Sequence, residues 1–299
     1  MKWILSVFVL FICLSCDDKQ PETPKKTSFE ASNTLRKKHT DFNAYWYDGF
    51  AEITSYKLEQ VRYGEIHSGT STLIYVTEPF LPEKQVKADY QNDDNISVLK
   101  LNKTKKFLTG IYPYSLMTST FTPIKTDNHA IKISFSSQEW CGNTFVQLNN
   151  KEDFEIDFKS YFESNSDKKL SLKKEWLEDD IWTVLRISPE NLPTGNSNMI
   201  PSFEYLALYH KEIKAYKIDA SLIKSEENFN YILSYPELQR ELKIVFTNQF
   251  PFQIERWEET VTTGANKQTT SATKMQSIKS KYWSKNKKQD TIIRQELNL

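Results

Sequence analysis

Glycine is scarce, with seven residues in 299, and cysteine scarcer, with three. So few glycines leave little material for phosphate-cradling loops, and no GxGxxG, GxSxG or HExxH string occurs. Net charge is missing too, because 39 basic residues balance 39 acidic ones. That balance gives no electrostatic footprint for nucleic acid. A chain of this length buries enough surface to fold without disulfides or a metal. Aromatic residues are plentiful instead: 18 Phe, 15 Tyr and seven Trp point to a packed, strand-rich interior and against disorder.

From residue 45 onward the dominant signal is alternation with period two, the mark of half-buried antiparallel strands. In residues 130–136, Ile131, Ile133 and Phe135 face one way while Lys132, Ser134 and Ser136 face the other. Similar runs predict strands over 51–63, 70–77, 105–122, 143–148, 153–162, 203–210, 214–223, 229–235, 240–247, 252–262, 269–280 and 291–297. Turn residues separate most of them, including Ser68-Gly69, Cys141-Gly142-Asn143 and Pro236. The expected fold is mainly β: about a dozen antiparallel strands in a strongly curved sheet or a sandwich, with one mid-chain helix. Leu172, Trp176, Leu177, Ile181, Val184 and Leu185 share one face of that helix, Ser171 can cap it and Pro189 stops it. The expected organisation is a leader over 1–15, a polar tether over 16–38, a β-rich half over 39–170, a helix-and-loop seam over 171–198 and a second β-rich half over 199–299. A single smooth sheet with the helix across its concave face would give the same string.

The opening MKWILSVFVLFICLSC has a short positive region and an apolar run too short to span a membrane, which fits a secretory signal. Leu14, Ser15 and Cys16 resemble the end of a bacterial lipobox, with Cys13 where that motif usually carries Leu. The alternatives are an ordinary signal peptide cut nearby or an uncleaved anchor. The lipoprotein resemblance implies acylation at Cys16, attachment to the outer membrane facing periplasm or cell surface, and a mature net charge of −1, since Lys2 departs with the leader. Asp17 and Asp18 resemble the surface-export signal of Bacteroidetes lipoproteins, and Asp290-Thr291-Ile292 their short O-glycosylation motif. One unlipidated thiol, Cys141, then remains, with burial its commoner fate.

Local chemistry is thin. In Gln138-Glu139-Trp140-Cys141-Gly142, Trp-Cys-Gly resembles the start of a thioredoxin-type site, but Thr144 stands where a second Cys belongs. His129 is the nearest base, yet pairing of the flanking strands puts it roughly 30 Å from Cys141. His129, Trp140 and Cys141 are the candidate site residues, and a structural turn with a semi-buried thiol is the simpler expectation. The four histidines show no metal-ligand spacing, so neither metal nor cofactor is expected. Asp179-Asp180, Asp93-Asp94 and Glu258-Glu259 read as solvated pairs. Gly64 and Gly69 echo a phosphate loop without its Lys and read as a hairpin tip. Tyr45, Trp46, Tyr47, Tyr112, Tyr114, Trp257, Tyr282 and Trp283 read as packing, or as contacts to a lipid or glycan.

The strings YWYDGFAEITSYKLEQVRYGEI, IYVTEPFLPEKQVKADYQN, QEWCGNTFVQLNN and TGNSNMIPSFEY resemble an uncharacterised lipoprotein family of Bacteroidetes, from about His39 to Leu299. That family often carries the label septum formation inhibitor. True bearers of that label are small cytoplasmic α/β nucleotide pyrophosphatases with a Ser-x-Arg-Arg motif, and Ser32 to Lys38 lacks the adjacent arginine pair. The resemblance implies a compartment and no mechanism. The leading expectation is a non-catalytic envelope lipoprotein binding a hydrophobic or glycan ligand, or an envelope partner. In its carrier form it requires an apolar concavity partly closed by residues 172–186. The alternatives are an envelope hydrolase whose site is assembled from distant residues, and a structural subunit of an envelope complex.

Overall fold

The computed structural model describes residues 35–126 and 129–299. Cys16 and the expected leader over 1–15 lie outside them. Strand formation follows the alternation: β6 (Lys132–Glu139) buries Ile133 and Phe135 and leaves Lys132, Ser134 and Ser136 at the surface side. In chain order the first arm holds β1 (Ala51–Arg62), β2 (Glu65–Leu81), β3 (Val86–Lys87), β4 (Ile96–Thr109), β5 (Tyr112–Pro123), β6, β7 (Gly142–Asn150), β8 (Phe154–Ser160) and β9 (Lys168–Leu172). The second holds β10 (Trp176–Leu177), β11 (Gly195–Ile200), β12 (Tyr216–Lys224), β13 (Asn228–Tyr235), β14 (Arg240–Thr247), β15 (Ile254–Thr263) and β16 (Asn266–Ser280). Among the described residues four α-helices accompany them: α1 (Phe42–Trp46), α2 (Glu178–Ile187), α3 (Phe203–Leu208) and α4 (Ile292–Glu296).

All sixteen strands belong to one sheet, ordered β10-β11-β12-β13-β14-β15-β16-β1-β2-β4-β5-β6-β7-β8-β9, with β3 beside β2. The sandwich alternative is therefore excluded. Every pairing is antiparallel except β10 with β11. The two edge strands, β9 and β10, are separated in sequence only by Lys173–Glu175. Leu172 and Trp176 thus lie within about 14 Å of each other, and the sheet curls until its edges nearly meet without closing. Such a many-stranded curl has an inner volume too wide for strand side chains alone to fill. Here α2 and α3 occupy it, every residue of both being buried.

Several sequence expectations are corrected. Residues 203–208 form a helix: all six are buried, so no amphipathic period shows, and the Ser202 hydroxyl accepts from the Tyr205 N–H as an N-cap. In the 291–297 window Ile292–Glu296 form a helix, capped by buried Leu297. The 105–122 window is two strands broken at Gly110, which turns with φ +58°. The mid-chain helix starts at Glu178, because Ser171 and Leu172 belong to β9 and Trp176-Leu177 to β10. Ser68-Gly69 lies inside β2, where a Cβ on Gly69 would come within 2.2 Å of the Lys106 carbonyl of β4; the turn is at Tyr63-Gly64. Asp179 and Asp180 are buried inside the curl.

Candidate functional site

The concave face is filled. α2 is clamped at both ends by fork-shaped ion pairs. At its start the Arg240 guanidinium donates to both Glu178 oxygens at 2.6 and 2.7 Å and to Glu259 at 2.6 Å, while Tyr235 O–H donates to Glu178 at 2.6 Å. At its end Arg186 donates to both oxygens of Glu52 at 2.7 and 2.8 Å and to the Pro251 carbonyl at 2.9 Å, and Tyr45 O–H also reaches Glu52. Burial alone would raise both carboxyls, yet the adjacent guanidinium in each pair outweighs it and the net shift is downward. Between the clamps, Lys105 reaches Glu204 at 2.5 Å and Gln60 at 3.2 Å, with Lys103 over the Trp182 ring at 4.6 Å. Aromatic and ion-paired side chains thus fill the place where a carrier would need an apolar chamber.

A cavity opens at the seam between the sheet edges. It has a volume of about 420 Å³, in the range of small-molecule sites. Its walls come from Lys174, Glu175 and Trp176 between and at the edges, Asp180 and Val184 of α2, Glu190 and Asn191 beyond it, and Arg36 and His129 from the opposite side. Arg36 is held by the Thr126 carbonyl on Nε at 3.1 Å and by its own N–H to Lys125 at 2.8 Å. Leu35 also bridges to Thr126, so Leu35 and Arg36 are bound to the body. The His129 ring meets Trp176 edge-on at 5.3 Å and Phe154 at 5.7 Å. Asp180 accepts from the Thr122 hydroxyl and from the Ala130 N–H at 2.9 Å. Burial pushes its carboxyl above the usual range, against the Thr122 bond and the charges of Arg36 and His129.

The other sequence candidates lie elsewhere. Trp140 and Cys141 form the β6–β7 turn, Trp140 being 68% exposed and Cys141 exposed rather than semi-buried. The Cys141 N–H donates to Glu139 at 2.7 Å, and the Glu139 carboxylate holds the thiol above its ordinary pKa, which opposes a reactive thiolate. His129 lies beyond the opposite end of β6, an eight-residue strand about 26 Å long. His39 stacks on Phe250 and His210 bonds Asn165 at 2.7 Å. Among the described residues no three His, Cys, Asp or Glu side chains gather to hold a metal.

Of the three described candidates, then, only His129 lines the cavity. Trp176, Asp180, Glu190 and Arg36 carried no local signal: His129 lies 47 residues from Trp176, Ala130 lies 50 from Asp180 and Thr126 lies 90 from Arg36, and Arg36 sits within a stretch that reads as tether. Comparison with protein-family models, curated proteins and solved structures gives no match for this chain.

Proposed function

We propose that this chain is an exported cell-envelope lipoprotein, acylated at Cys16, that binds a glycan in the seam cavity without chemistry of its own. The observation that carries the binding reading is the cavity lining. One indole in the lining, that of Trp176, offers a face for the C–H side of a sugar ring. Around it stand a guanidinium, an amide, a serine hydroxyl and carboxylates, a mixture of donors and acceptors that matches a polyhydroxylated ligand. An acyl chain would strand those polar groups without partners, which disfavours the hydrophobic alternative. The lipobox-like Leu14-Ser15-Cys16 and the family resemblance support the compartment.

Calorimetric titration with oligosaccharides from peptidoglycan and from lipopolysaccharide tests the binding. Saturable heat, weakened at least tenfold by Trp176→Ala, is expected; silence with every envelope glycan sinks the reading. Radiolabelled palmitate, incorporated in the native chain and absent in Cys16→Ala, tests the anchor. The second reading, a hydrolase, draws on the raised Asp180 carboxyl beside His129. Recovery of the titrated glycan in cleaved form, with cleavage lost in His129→Gln, would favour it.

A further inference from the structure

Because neighbouring strands run antiparallel, the β1–β2, β4–β5 and β6–β7 turns and the β8–β9 connection all fall at one end of the curl. That end carries Tyr63, Ile66, Leu108, Ile111, Trp140 and Tyr161, each between 59% and 83% exposed. The aromatic members touch in succession along the rim. Trp140 stacks on Tyr112 with centroids 6.2 Å apart, Tyr112 O–H donates to the Tyr63 hydroxyl at 3.3 Å, and Tyr63 and Tyr114 share a bond of 2.7 Å. Tyr161 lies against Gly142, where a Cβ would stand 2.8 Å from its ring. This is an ordered rim of large apolar side chains with no cover among the described residues, not a scatter of single exposed residues.

We propose that this rim inserts into the interface of a zwitterionic lipid bilayer, giving the protein a second membrane contact besides its acyl group. Three observations select that occupant. The mixture is Trp and Tyr, whose rings are apolar and whose N–H and O–H stay wet, together with Ile and Leu, the composition of membrane-interface belts. The turn residues Tyr63-Gly64, Gly110-Ile111 and Trp140-Cys141 are uncharged, their flanking charges, Arg62, Glu65, Lys106 and Glu139, balance, and around the β8–β9 connection Glu163 and Asp167 are matched by Lys159 and Lys168. The rim therefore matches a neutral headgroup layer better than an anionic one.

Chain length permits the contact. Leu35 sits beside Thr126, beyond the far end of β5, about 46 Å along the strand direction from Tyr112. The chain between Cys16 and Leu35 can span up to about 65 Å. This reach argument rests on acylation at Cys16; the rim chemistry does not. Two tethered contacts reinforce each other through effective concentration.

The test uses the chain from residue 16 onward with Cys16→Ser, which keeps every described residue and removes both the acyl site and the apolar leader. It is expected to sediment with phosphatidylcholine vesicles, with little change on adding salt or anionic lipid. Trp140→Asp with Ile111→Asp should lower the bound fraction at least fivefold at unchanged circular dichroism. Ile111→Asp alone, at a side chain 83% exposed, should lower it measurably and cannot act through misfolding. Absence of sedimentation, or sedimentation indifferent to these substitutions, overturns the proposal. So does a concentration-dependent dimer abolished by them, which would assign the rim to a second copy. Palmitate labelling is read separately, so a failed anchor and a failed rim are distinguishable.

Discussion

The two ends of α2 use the same pair of residue types with their positions exchanged. At the N-terminal end the helix supplies the carboxylate, Glu178, and the sheet the guanidinium, Arg240; at the C-terminal end the helix supplies Arg186 and the sheet Glu52. Both arrangements agree with the helix dipole, which favours anions at its start and cations at its end. The ends differ in redundancy. Arg240 keeps a second carboxylate, Glu259, whereas Arg186 falls back on the Pro251 carbonyl and the faces of Trp46 and Tyr75 at 5.0 and 4.6 Å. A charge inside a filled curl is therefore tolerable in proportion to its remaining partners, which makes the C-terminal clamp the more brittle of the two.

Removing one partner of a buried pair costs about 3–5 kcal/mol, because the other charge is left uncompensated. Glu52→Ala is expected at the top of that range, measured by equilibrium denaturation in guanidinium chloride. Glu178→Ala should fall about 1–2 kcal/mol below it, since Glu259 still neutralises Arg240; equal losses would break the comparison.

Asp179, between the clamps, has no guanidinium. One of its oxygens accepts from the Phe203 N–H at 2.9 Å and the other has no hydrogen bond. Burial lifts its carboxyl to about 7 against the pull of Lys103. Its pKa in the folded state lies above the unfolded value of 3.8, so the native state holds its proton more tightly and stability falls as pH rises from about 4 to about 7. Asp179→Asn should flatten that slope and stabilise the protein at pH 8 by an amount not exceeding about 4 kcal/mol. A wild-type curve flat over that window would contradict the assignment. Glu52, Glu178 and Glu204 are depressed once their cationic partners offset burial, and act in the opposite sense: their stabilisation is complete above pH 4.5 and is lost as pH falls through their folded values. At the bottom of the scale, Lys173→Ala breaks the surface pair with Asp153, whose lysine is 87% exposed, and should cost no more than about 0.5 kcal/mol.

Legibility in the sequence follows the distance between partners. Strands such as β6 were readable because alternation is local, and so was the strand-rich class with its curved sheet. Helix α3 was not, since immersion on all sides removes the polar face that marks a helix, and Phe203, Tyr205 and Ala207 mimic strand alternation. Only the Ser202 cap advertised it. The acidic run Glu178-Asp179-Asp180 looks solvated because its partners, Arg240, Phe203 and Thr122, are 24 to 62 residues away. Arg36, Trp176 and Asp180 meet in the seam cavity only because the sheet bends its first and last edges toward one another, a property of sixteen strands together and of no single segment.

The place of β1 in the sheet has a consequence for how the chain is made. It pairs on one side with β2, its neighbour in sequence, and on the other with β16, whose Ser280 sits opposite Ala51; the Ser55 hydroxyl also donates to the Leu297 carbonyl. One flank of the central strand therefore waits for β16 to leave the ribosome. Until then it is an open template for wrong neighbours, the situation that holding chaperones relieve. A nascent chain halted before Asn266 is the form in which this protein would be most prone to stick to itself.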